Sequence, residues 1–75
     1  MAKNYDYELS TINLVHFNNI KYLFEEFDIP YSSSTYLEGN TKIYEISYSE
    51  DDIDACVNKD EFLDKLEDLA IKYNL

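Results

Sequence analysis

Asp52, Asp54, Cys56 and Asn58 stand two apart within YSEDDIDACVNKDEF, the stretch from Tyr48 to Phe62. Alternating ligands at that spacing resemble the start of a calcium-binding loop. The match fails in detail, because Cys56 is not an oxygen ligand, Val57 stands where such a loop needs glycine, and Leu63 stands where it needs a bidentate glutamate. A second chemistry, nucleophilic attack by an activated thiolate, would require Cys56 to meet His16, the chain's single histidine. Each also has a structural reading: His16 falls on an apolar helical arc, and Cys56 lies in an apolar alternation where cysteine packs as a small hydrophobe. One histidine and one cysteine are too few for structural zinc. No catalytic residue, metal or cofactor is assigned.

What remains is the charge itself. Sixteen acids face six bases, for a net charge of −10, and every base is lysine. Without arginine the chain lacks the planar fork that reads guanine edges or clamps phosphates, which argues against direct nucleic-acid binding and for a basic protein partner. The acids are also uneven: eleven of the sixteen fall in residues 38–75. Neighbours at i, i+4 on a helix are about 6 Å apart, close to the spacing of successive phosphates along a strand, so a row of carboxylates can compete for side chains that hold DNA or RNA.

A chain of 75 residues is read as one domain, residues 1–75. At this size only about 60% of the unfolded surface is buried, so a partner or a second copy would add useful stability. The 45% apolar content and twelve aromatic residues exceed what a disordered acidic chain carries. With one cysteine no internal disulfide forms, and MAKNYDYELS has neither a basic nor an apolar leader region, so a bacterial cytoplasm is the expected address. No apolar run approaches the length of a membrane span, and anionic lipid would repel the acids. Abundant Asn, Ile, Lys and Tyr beside no Arg or Trp matches the coding bias of an AT-rich genome.

The elements that must position the acids follow from periodicity. YDYEL, Tyr5 to Leu9, alternates as a strand does. Between Thr11 and Phe27, Ile12, His16, Ile20, Leu23, Phe24 and Phe27 recur at helical spacing beside Phe17, with Ser10, Thr11 and Asn13 as candidate caps and Pro30 as the stop. Tyr31 to Ser49 reads as a hairpin about Glu38-Gly39-Asn40, with Tyr44, Ile46 and Tyr48 on one face. Ile53 to Val57 alternates again, after an acidic turn, and predicts a short fourth strand. Asn58 and Glu61 predict a capping box for a last helix with Phe62, Leu63, Leu66, Leu69, Ala70 and Tyr73 as its apolar stripe. The expected fold is α+β: an antiparallel sheet of three to four strands in the order β-α-β-β-(β)-α, two helices packed on one face and a tyrosine-rich face left open.

Glu50, Asp51, Asp52, Asp54, Asp60, Glu61, Asp64, Glu67 and Asp68 are the expected partner-binding residues. Ile71, ringed by charge on the last helix, is a candidate apolar anchor, with Tyr44 and Tyr48 as aromatic contacts. In size, charge and tyrosine content the whole chain resembles phage-encoded anti-CRISPR and anti-restriction proteins. The resemblance implies an inhibitor that occupies the basic groove of a nucleic-acid-binding protein, whether CRISPR effector, restriction enzyme or other nuclease. The alternatives are an immunity protein that neutralises a toxin or nuclease, and an acidic adaptor that dimerises through its sheet, its charge serving solubility.

Overall fold

The computed structural model describes residues 5–75. Its elements are β1 (Tyr7–Thr11), α1 (Leu14–Glu26), β2 (Ser32–Glu38), β3 (Thr41–Tyr48), α2 (Glu50–Asp54) and α3 (Lys59–Lys72), and the strands form one antiparallel sheet in the order β1-β3-β2. The architecture is thus α+β, with the hairpin and both long helices where periodicity places them.

Capping sets the helix boundaries. Asn13 starts α1, its side-chain oxygen accepting from the Val15 and His16 amides at 2.9 and 3.1 Å, which leaves Ser10 and Thr11 to β1. At the other end the stop is not Pro30 but a left-handed residue before it. Asp28 takes φ 55°, and the amides of Ile29 and Asp28 donate to the Phe24 and Glu25 carbonyls at 2.9 and 3.2 Å. That pattern is a Schellman motif, closed by apolar contact between the buried Ile29 and Phe24. α3 ends the same way, with Asn74 at φ 58° and the Leu75 and Asn74 amides on the Ala70 and Ile71 carbonyls. Asn58 does flank α3 but makes no side-chain cap bond, so the expected capping box with Glu61 is not formed.

Two strands differ from expectation. β1 runs two residues later than YDYEL predicts, because its partner β3 ends at Tyr48, opposite Tyr7, and the chain then turns at Ser49 into α2, whose Glu50 amide the Asp6 carboxylate accepts at 2.8 Å. The predicted fourth strand at Ile53–Val57 is instead the short helix α2 and the turn after it. Ser49 supplies the reason: its hydroxyl accepts the Asp52 amide at 3.4 Å and donates to the Asp52 carboxylate at 2.8 Å. Glu50, Asp51 and Asp52 then occupy the first turn, where the amide-rich helix end favours negative charge. Ile53 is buried beneath α2, whereas Val57 is 96% exposed, so the apparent alternation does not mark a sheet face. Ser49→Ala should cost about 1 kcal/mol and lower the melting temperature by roughly 4–8 °C. A circular-dichroism melt that matches the parent would remove this cap from the account of α2.

The core lies between the sheet and the helices. Tyr44, Ile46 and Tyr48 of β3 face α1, with Tyr44 stacked on Phe17 and Tyr48 tilted against Phe24, both at 5.0 Å between ring centroids. α3 runs antiparallel to α1: Phe62 meets Phe24 and Phe27 at 5.0 and 5.5 Å, while Tyr73 stacks on His16 at 3.7 Å. The shortest molecular dimension is 16 Å, enough for a sheet and one helix layer, so the two helices lie side by side. α1 covers β1 and β3; β2, beyond them, has no buried residue.

Candidate interaction surface

On α3 the core-facing residues Phe62 and Leu66 turn the opposite side of the helix to solvent. At 100° per residue Asp60, Asp64, Glu67 and Ile71 fall along one stripe, flanked by Glu61 and Asp68. All six are exposed, Ile71 at 72%. From Asp60 to Ile71 the stripe is about 16 Å long at the helical rise. α2 continues the negative surface with exposed Glu50, Asp51 and Asp54.

Few cations offset this charge. Lys59 reaches Asp54 at 3.4 Å, and Lys65 reaches Glu61 at 3.6 Å across one helical turn. Exposed pairs of this kind contribute little to stability. Among the described residues Asp51, Asp60, Asp64, Glu67 and Asp68 have no cationic partner. A row of solvated, unpaired carboxylates can meet lysine or arginine of another molecule without first breaking an internal bond.

Three predicted contact residues are placed differently. Asp52 is half-buried and spends its carboxylate on Ser49. Tyr48 is only 8% exposed, its ring held between Phe24 and Tyr7, and burial raises its hydroxyl pKa above the ordinary value. Tyr44 is half-buried against Phe17 beneath the Lys42 ammonium. Both tyrosines therefore belong to the core. They share a face as expected, but it is the covered face, since residues that α1 packs against must alternate with those that point away.

The sequence-level chemistries are not assembled either. Asp52 and Asp54 sit on α2 with different orientations, and among the described residues no group of three His, Cys, Asp or Glu is placed to hold a metal ion. His16 lies at the start of α1 against Tyr73, whereas the Cys56 thiol lies 3.8 Å from the Phe27 carbonyl at its end. The eleven residue steps from His16 to Phe27 span about 16 Å of helix, so the pair does not meet.

A second acidic surface was not anticipated. On the open face of the sheet Tyr36 is half-exposed, and partial desolvation, then Glu45, Glu38 and Glu8, raise its hydroxyl pKa. Glu45 aligns with Ser10 on one side and Ser34 on the other. A turn centred on Gly39 would set Tyr36 against Lys42 and on the face of Tyr44; the observed centre, between Gly39 and Asn40, sets it against Ile43 and on the face of Glu45. The open face is thus acidic and hydroxyl-rich around one tyrosine, rather than tyrosine-rich. The chain matches no family model, no curated protein and no solved structure.

Proposed function

We propose that this protein is an acidic inhibitor whose α2–α3 surface occupies the basic groove of a nucleic-acid-binding protein. The observation that carries the reading is the α3 stripe, Asp60, Asp64 and Glu67 in line on an exposed helix face, with no cation paired to them among the described residues. Carboxylates at about 6 Å intervals present charge much as a phosphate backbone does. A net charge of −10 would steer a basic partner toward that surface from a distance. Ile71, at the end of the stripe, supplies an apolar contact that a nucleic acid cannot, which favours a protein groove with a neighbouring pocket. No helix among the described residues is long and apolar enough to cross a membrane. The proposed setting is a bacterial cytoplasm, where the target would be a CRISPR effector, restriction enzyme or toxin-like nuclease.

The test is retention from bacterial lysate at low salt on the tagged protein, with duplex DNA as competitor. One basic nucleic-acid-handling protein should be retained, then released both by the duplex and by raising the salt. The triple variant Asp60→Lys, Asp64→Lys, Glu67→Lys should weaken that binding roughly a hundredfold or more, because like charges would then face each other. Binding that ignores salt and survives the triple reversal would refute the role of this stripe.

A further inference from the structure

We infer that β2 is a self-association edge, through which two copies of the chain pair antiparallel about Thr35 into one continuous six-stranded sheet. β2 is an edge strand whose seven residues, Ser32–Glu38, are all exposed, and its extensive packing is with β3 alone. Edge strands are usually blunted by charge, proline, a bulge or a covering element. β2 has only one of these, the charge of Glu38 at its hairpin end. Ser32 to Leu37 carries no charged residue, Pro30 lies outside the strand, and the register runs from Ser32↔Ser47 to Glu38↔Thr41 without a bulge. β1, at the other edge, is shorter, carries Glu8 and follows Asp6, which is engaged at α2.

Hydrogen-bond alternation shows which groups are free. In a two-residue hairpin the pair next to the loop, here Glu38–Thr41, is hydrogen-bonded, and bonded and non-bonded pairs then alternate along the ladder. Ser33, Thr35 and Leu37 therefore turn their amides and carbonyls away from β3, and no described backbone group outside the sheet reaches them. Among antiparallel self-pairings, the one centred on Thr35 engages all three in both copies. It sets Thr35 against Thr35, Ser33 against Leu37, Ser34 against Tyr36 and Ser32 against Glu38.

The side chains favour a second copy over a different partner. No acid opposes an acid in this register, and the threonine pair at the centre is of a kind that stabilises antiparallel sheets. The nearest acids facing across the junction within the sheet, Glu38 of one copy and Glu45 of the other, are two strand spacings and two residues apart, about 12 Å, which still exceeds the screening length in physiological salt. A basic partner would gain little from a strand whose one charge, Glu38, sits at its hairpin end, and has the acids of α3 to bind. Self-pairing uses only β2 and leaves that stripe free, so it stands independently of the proposed inhibition.

Sedimentation equilibrium of the full chain over a wide concentration range, at low and high salt, tests the pairing. A reversible dimer is expected, strengthened by salt because two chains of charge −10 approach each other. Partner binding should respond to salt in the opposite direction. Amide exchange followed at two protein concentrations should slow at Ser33, Thr35 and Leu37 as concentration rises. Thr35→Pro removes an outward amide and should weaken the dimer roughly tenfold or more, the effect of deleting two hydrogen bonds of ordinary strength. Should that variant unfold, Thr35→Glu places two carboxylates at the junction and should abolish pairing in a folded chain. A chain that stays monomeric at millimolar concentration in high salt, or a dimer that persists in folded Thr35→Glu, overturns the inference.

Discussion

Phe24→Ala should remove about 3–5 kcal/mol of stability, a large share of the total, in the absence of any partner. Phe24 is fully buried, and its ring lies 5.0 Å from both Tyr48 and Phe62 and 5.5 Å from Tyr31, joining the sheet, α3 and the segment that leads into β2. Truncating a buried phenylalanine costs about 3–5 kcal/mol, the lost transfer energy plus the cavity left behind. Total stability at this chain length is roughly 4–11 kcal/mol on a per-residue basis, and small domains bury proportionally less surface. The substitution also removes the apolar partner of Ile29 in the motif that closes α1. Urea unfolding followed by circular dichroism is the measurement, with Val57→Ala, at a 96% exposed position, as a control expected within about 0.5 kcal/mol of the parent. If Phe24→Ala unfolds within 1 kcal/mol of the parent, the core is not where the structure places it.

The same phenylalanine shows why the fold was largely legible. Helical spacing in α1 and α3 is imposed by the face each must bury, so Phe17, Ile20, Leu23, Phe24, Phe62 and Leu66 announce the core directly. The hairpin was legible because Gly39, at φ 63°, meets a steric demand that few residues can meet. The region around α2 was not, because Ile53, Ala55 and Val57 alternate like a strand while a single buried serine decides the matter through its bond to Asp52. Capping is a local competition among a few hydrogen bonds, and periodicity carries no record of it.

For the candidate surface the division has another cause. Asp60, Asp64, Glu67, Asp68 and Ile71 were legible because a helix's exposed face follows from its buried one. Tyr44 and Tyr48 were misassigned because a strand's alternation separates two faces without saying which is covered. The missed group of Glu8, Glu38 and Glu45 about Tyr36 depends on pairing residues far apart in sequence. Register across β1, β3 and β2 fixes that pairing, and a one-residue slip between β2 and β3 would turn Tyr36 to the other face.

Raising the pH above 10 should unfold the protein cooperatively, with tyrosine ionisation and loss of helix occurring together. Tyr48 is the main cause. Its hydroxyl pKa is raised above the ordinary tyrosine value of about 10 chiefly by burial, with Tyr7 adding to the effect. Tyr31 is raised by desolvation and then by Glu25, whose carboxylate accepts its hydroxyl at 3.3 Å. A folded-state pKa above the unfolded one means that the folded chain holds the proton more tightly. The associated stability is therefore complete below about pH 10 and is lost as pH rises through the folded value. Each phenolate formed also adds to a net charge of −10, so ionisation increases the self-repulsion that unfolding relieves. Absorbance at the phenolate band and ellipticity should change with one midpoint, and Tyr48→Phe, which keeps the ring and removes the titrating group, should move that midpoint to higher pH. Separate transitions, with tyrosines ionising in a chain that keeps its helices, would mean that the Tyr48 hydroxyl reaches solvent freely and that its burial does not govern alkaline stability.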